Sequence, residues 1–223
     1  MEEKYPCPKM TAKQWVVNFW YYYKWFFLTA FVIVLFLVIC TVQYFTKSEA
    51  DVSILYVGSA NVSREQAERI VFETESMVQD SNSDGKVRAE IKTITLLSDF
   101  DFLSPPEKVQ AHEQLLEYSN EIIGGNSSIL LLESYFYEEL ASAGALMNLY
   151  EIFPEIPSGA IDFYGIRLGS TALYQREGFS SLPADTILCL KYHSAYTDDD
   201  IEEQVAYDLI NQEHFRNLYA AEK

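Results

Sequence analysis

Trp25 to Phe45 is a run of 21 residues with no charge, and Gln43 is its one strongly polar member. As a helix rising about 1.5 Å per residue, the run reaches roughly 31 Å, the thickness of a bilayer's hydrocarbon layer. A helix on the surface of a soluble core carries a polar stripe, because one side of it meets water. Phe31 to Ile39 carries none. The run therefore predicts a membrane span over residues 25–46.

The flanks point the same way. Trp15, Phe19, Trp20, Tyr21, Tyr22, Tyr23 and Trp25 crowd one side, and Tyr44 and Phe45 close the other. Aromatic rings settle at the headgroup level. Lys4, Lys9, Lys13 and Lys24 precede the span and only Lys47 follows closely, which places residues 1–24 in the cytoplasm by the positive-inside rule. Two alternatives fit the run less well. Ser48-Glu49-Ala50 offers a small-x-small cleavage site, but the apolar run is longer than a signal-peptide core. Leu37-Val38-Ile39-Cys40 resembles a lipidation box, but Ile39 is too large for the position before the cysteine. An uncleaved anchor is the expectation.

Charge divides the chain at the same place. Residues 1–47 carry five lysines against two glutamates, a net of +3, so the rest carries −20 of a total of −17. A domain that acidic repels nucleic acid and suits basic partners, cations or simple solubility. Nucleic acid is excluded as a partner. Membrane lipid, contacted through the anchor, is expected, and a membrane or cell-surface protein or a small molecule remains open. Cys189 is the one cysteine after the span, so the outer domain has no internal disulfide.

Asn18-Phe19-Trp20-Tyr21-Tyr22-Tyr23-Lys24-Trp25, followed at once by the span, resembles a group of single-span membrane proteins of Gram-positive anaerobic bacteria. The resemblance implies a location and no activity.

After a linker at 47–51, residues 52–223 read as one α/β domain. Val52 to Val57 is β-branched and aromatic, a strand. Ser63-Arg64-Glu65-Gln66 fits a capping box opening a helix to about Gln79. Val87 to Leu97 alternates as a second strand, and Pro105-Pro106-Glu107 starts a helix running to Ile123. Ile129-Leu130-Leu131-Leu132 reads as a strand buried on both faces. Ser134 is placed to cap a helix that Gly144 ends. Phe163 to Ile166 and Thr186 to Tyr192 read as strands, and Asp198-Asp199-Asp200 opens a last helix from Ile201. Strands alternating with helices predict a three-layer α/β domain with a mainly parallel sheet.

Within this domain, Gly124 to Tyr150 reads as a strand, a polar break and the helix Tyr135-Phe136-Tyr137-Glu138-Glu139-Leu140-Ala141-Ser142-Ala143-Gly144-Ala145-Leu146, and Tyr164-Gly165-Ile166 follows. This stretch resembles one lobe of an extracellular solute-binding protein. The resemblance implies a periplasmic-binding-protein-like lobe. A two-lobed clamp does not fit, because only about 40 residues separate Leu146 from the strand at Thr186.

The carboxyl ends of parallel strands are the default ligand surface. That selects Ser59 and Asn61 after the first strand, Ser98 and Asp99 after the second, and Glu133, Ser134 and Tyr135 after the third. For Ser134 a helix cap is favoured over a ligand role, and for Tyr135 a packing role. Asp80-Ser81-Asn82-Ser83-Asp84-Gly85 matches the first half of an EF-hand loop, with Asp80, Asn82 and Asp84 as oxygen donors. The twelfth position, where a bidentate glutamate belongs, is Ile91, so a polar turn is favoured over calcium. His112, His193 and His214 show no metal-ligand spacing, and surface positions are expected for His112 and His214. No nucleotide-binding, nucleophile-elbow or cofactor motif occurs, and no cofactor is expected. The expected function is a membrane-anchored extracytoplasmic interaction or ligand-binding domain without catalysis. The alternatives are a single-lobe relative of solute-binding proteins and an extracellular enzyme of another type.

Overall fold

The computed structural model describes residues 11–46, 50–96, 105–192 and 201–220, and the chain divides into two compact units, residues 1–48 and 49–223. Asp99, Ser98, His193 and the acidic triplet at 198–200 lie outside the described residues.

The first unit is helix α1, Ala12–Thr46, thirteen residues longer at its amino end than the predicted span. Phe19–Thr41 has a mean hydropathy of 2.3 and meets the length and composition needed to cross a membrane, a requirement that a signal sequence also meets. Its surface is apolar and aromatic nearly all round, with Trp25, Phe26 and Phe31 each more than three-fifths exposed. Such a surface is stable only in lipid or against a partner. Thr29 and Thr41 return their hydroxyls to the carbonyls of Trp25 and Leu37, so neither leaves a free donor in the helix.

The second unit is an α/β sandwich. Its strands are β1 (Val52–Gly58), β2 (Ala89–Thr95), β3 (Ile129–Leu132), β4 (Gly165–Arg167) and β5 (Ile187–Leu190), in the spatial order β2-β1-β3-β5-β4. β1 pairs parallel with both β2 and β3. β5 runs antiparallel between β3 and β4. The expectation of a mainly parallel sheet holds for direction, since only β5 is reversed. The pairing itself is mixed, because that one strand sits inside the sheet and touches two neighbours.

Alternation along the strands feeds two cores. Val52, Ile54, Tyr56, Ile129, Leu131, Leu188 and Leu190 face one side. They meet Ile70 of α2 (Arg64–Glu75), Leu149 and Ile152 of the short helix α5 (Leu149–Ile152), and Phe215 and Leu218 of α6 (Ile201–Tyr219). Leu55, Val57, Leu130, Leu132, Ile187 and Cys189 face the other. They meet Tyr118 of α3 (Pro105–Gly124) and Phe136, Tyr137 and Leu140 of α4 (Ser134–Ser142). Each fully buried Leu or Ile contributes about 1.5–3 kcal/mol, which makes the sheet a rigid platform for whatever stands at its ends.

Local chemistry sets the helix limits. Gln66 N–H donates to Ser63 Oγ at 3.3 Å and Ser63 N–H to Gln66 Oε1 at 2.8 Å, the expected capping box. α2 stops at Glu75, short of Gln79, where Ser76 turns its hydroxyl to the Glu73 carbonyl. α4 ends in a Schellman turn: Gly144 adopts φ +71°, and Ala145 N–H reaches the Leu140 carbonyl at 3.0 Å. Ser134 does not cap α4. It is the first helical residue, and Glu133 holds the cap position with its side chain turned elsewhere. Three 3₁₀ turns between Leu168 and Ser181 were not anticipated, because their three- and four-residue lengths leave no periodic pattern.

Candidate functional site

Glu133 explains its missing cap by what it binds instead. Ser59 N–H and Ser59 Oγ–H both donate to Glu133 Oε1, at 2.6 and 2.5 Å. The carboxyl end of β3 is thereby tied to the turn after β1. Two of the sequence-selected residues, Ser59 and Glu133, are brought together. Asn61 is exposed two residues further along that turn, and Tyr135 lies on the first turn of α4. Tyr135 is 58% exposed and touches Phe136 edge-on, so it is a surface ring and not a core residue.

Two residues that sequence reading passed over complete this end. Tyr56 and Thr186 are fully buried, and neither hydroxyl has a hydrogen-bond partner. Tyr56 shares its sheet face with Gly58, and the β3–β5 register sets Thr186 across from Glu133. Gly58 is required by this crowding. A Cβ there would stand 2.6 Å from the Tyr56 hydroxyl and 2.9 Å from Glu133 Cγ and Oε1. The tyrosine hydroxyl and the carboxylate therefore crowd the same point above Gly58. Burial pushes the Tyr56 phenol up to about 12, helped by the negative charges of Glu133 and then Asp185, while the nearby Ala60 N–H opposes them without closing a regular hydrogen bond. Tyr56 stays protonated at any physiological pH, able both to donate and to accept.

The other end of the sheet is built differently. Asp51 is 8% exposed at the start of β1 and accepts four hydrogen bonds: from Ser81 N–H and Oγ–H at 2.9 Å each, from Asn82 N–H at 3.2 Å, and from Arg88 N–H at 2.9 Å. Burial would raise its pKa, but the four donors outweigh it and hold the carboxyl below its usual range. The loop that resembled half a calcium site is pinned by its own oxygens. Asp80 Oδ2 accepts from Gly85 N–H, Asn82 Oδ1 from Asp84 N–H, and Asp84 Oδ1 from Lys86 N–H, all within 2.9 Å. Asp84 also pairs with the Arg88 guanidinium at 3.0 Å. Among the described residues no group of three His, Cys, Asp or Glu side chains is arranged to hold a metal.

Two further buried groups stand at this amino end. Lys191, 7% exposed, donates to the carbonyls of Glu121 and Gly125 at 3.2 and 3.1 Å, capping the carboxyl end of α3; burial lowers its pKa. His214 is 2% exposed, which corrects the expected surface position. Nδ1 lacks a partner, and burial holds its pKa below the ordinary value against the opposing pull of the Gln79 backbone and the Asp51 and Glu213 charges. His112 is exposed as expected.

A concavity of about 470 Å³ lies along α1 among Trp20, Lys24, Trp25, Phe27, Leu28 and Phe31. It is a gap between side chains of one apolar helix, and acyl chains would fill it in a bilayer.

No family model matches this chain, and no curated protein matches it. Among solved structures, it is similar to the extracellular solute-binding protein family 1 from Alicyclobacillus acidocaldarius subsp. acidocaldarius DSM 446, at 16% identity and a TM-score of 0.30, over 54% of this chain. The chain spans 29% of that protein. A superposition that loose carries no argument about ligand or mechanism.

Proposed function

We propose that this chain is a single-pass membrane protein whose residues 52–223 bind a ligand outside the cytoplasm, without catalysis, at the carboxyl ends of β1 and β3. Residues 1–24 lie in the cytoplasm, 25–46 span the bilayer and 47–51 link span to domain. The anchor rests on the uncharged run and its lysine-rich leading side. The binding role rests on one observation: two fully buried hydroxyls without partners stand beside Glu133 at the sheet end where ligands of parallel strands collect. Ser59, Asn61, Glu133 and Tyr135 form its accessible rim. Protease added to intact protoplasts tests the orientation. Residues 52–223 should be removed, and their protection would reverse the topology.

A second reading, docking to a membrane or cell-surface protein, is favoured by α3. Val109, Leu116 and Ile123 recur every seventh residue and are 63%, 53% and 71% exposed. One apolar stripe on a helix is the form that helix-to-helix docking uses. Site-specific crosslinking from position 112, exposed on the same helix, in the native membrane should capture a partner that Leu116→Glu loses, and capture unaffected by that change would reject the stripe as the surface.

A further inference from the structure

We propose that the carboxyl-end site recognises an organic ammonium group, an inference that rests on the reading of this end as the ligand surface.

The argument begins with what the site offers. Glu133 Oε1 is occupied by Ser59, while Oε2 has no partner among the described residues. The carboxylate can only accept. The Tyr56 and Thr186 hydroxyls lie behind it on the same sheet face, fully buried and each without a partner. A buried hydroxyl left unpaired costs about 1–3 kcal/mol. Two of them beside one carboxylate make a place with unmet hydrogen-bonding capacity.

Charge then selects among ligands. The charges acting on Tyr56 are those of Glu133 and Asp185, both negative. The whole chain carries −17. An anion would be repelled here, and a neutral hydroxyl would leave the carboxylate uncompensated. An ammonium carries three donors and no acceptor, which matches a set whose open capacity is one carboxylate oxygen and two hydroxyl oxygens. The Tyr135 ring, 58% exposed and two residues beyond Glu133, adds an aromatic face of the kind that attracts cations. In binding, the ammonium takes the open Glu133 Oε2, and Ser59 keeps its place at Oε1.

The same chemistry comes from a free amine or from a lysine side chain, and both enter the test. The full chain, in octaethylene glycol monododecyl ether micelles, is titrated calorimetrically with propylammonium, with Nα-acetyl-lysine amide, and with the size-matched 1-propanol and propionate. Saturable binding of propylammonium is expected with Kd of about 1 mM, the range open to so small a ligand. Glu133→Gln should weaken it at least about tenfold and Tyr56→Phe about threefold. Tighter binding of the lysine amide than of propylammonium would assign the ammonium to a lysine side chain, and the reverse order to a free amine. Propanol bound as tightly as propylammonium, with Glu133→Gln without effect on either, would overturn the ammonium assignment and keep the ligand surface. No saturable heat from any probe at 50-fold the expected Kd would overturn both. If Glu133→Gln fails to melt cooperatively, Tyr56→Phe decides: binding unchanged by it contradicts the proposal.

Discussion

Asp51 stands at the amino end of β1 and Glu133 at the carboxyl end of β3, and the two carboxylates are used in opposite ways. Asp51 spends both oxygens on three backbone amides and a hydroxyl, fastening the 81–88 loop to the sheet. Glu133 commits one oxygen to Ser59 and leaves the other open, with two unpaired hydroxyls behind it. A saturated carboxylate is a structural rivet. An unsaturated one beside buried unpaired hydroxyls carries a cost that a bound ligand can offset. On the proposed reading the two ends of one sheet divide the labour, stability at the amino end and recognition at the carboxyl end.

The largest effect should come from the rivet. Asp51→Ala strands the amides of Ser81, Asn82 and Arg88 in a buried setting, and loss of about 3 kcal/mol or more is expected in urea unfolding of residues 50–223, which hold both cores. A loss under about 1 kcal/mol would mean that water replaces the carboxylate freely and that the contrast is weaker than drawn. Gly58→Ala follows, at about 1–3 kcal/mol, because its Cβ meets the Tyr56 hydroxyl and the Glu133 side chain. It should also abolish ligand binding, and full binding with lowered stability would move the site away from Gly58.

The smallest effect is a pH dependence at the amino end. Burial holds the His214 pKa below the ordinary 6.5, so as pH falls the unfolded chain takes the proton first. Stability should be complete above about pH 6.5 and decline below it, by up to about 1.4 kcal/mol per pH unit. The lowered Asp51 and Glu121 carboxyls act separately: their contribution is complete above the ordinary carboxylate values of 3.8 and 4.5 and is lost only below them. Melting temperatures at pH 7.5 and 5.5 bracket the range below the ordinary histidine value. His214→Gln should flatten that slope, and an unchanged slope would assign the acid sensitivity elsewhere.

How far the sequence foretold this depends on how local each feature is. The Ser63 capping box, the wholly apolar β3 and the Gly144 stop were legible because a few adjacent residues determine them. The reversal of β5 was not, since strand direction depends on the path of the 3₁₀ turns before it. α6 carries apolar residues on both sides, with Val205 and Leu209 exposed while Phe215 and Leu218 are buried. Periodicity therefore gave no face for His214, and its burial was missed. Glu133 was legible from its place after a strand. Tyr56 was hidden inside an apolar run, where a tyrosine reads as one more large core residue; its sheet face, shared with Gly58, was the available signal.

The central claim is that Glu133 serves recognition and Asp51 serves stability. It is tested most directly by the unfolding free energy of Glu133→Gln set beside that of Asp51→Ala in ligand-free buffer. Glutamine keeps an acceptor for Ser59, so Glu133→Gln should lie within about 1 kcal/mol of wild type or above it. A loss as large as that of Asp51→Ala would show Glu133 to be a second rivet and would contradict the division of the two ends.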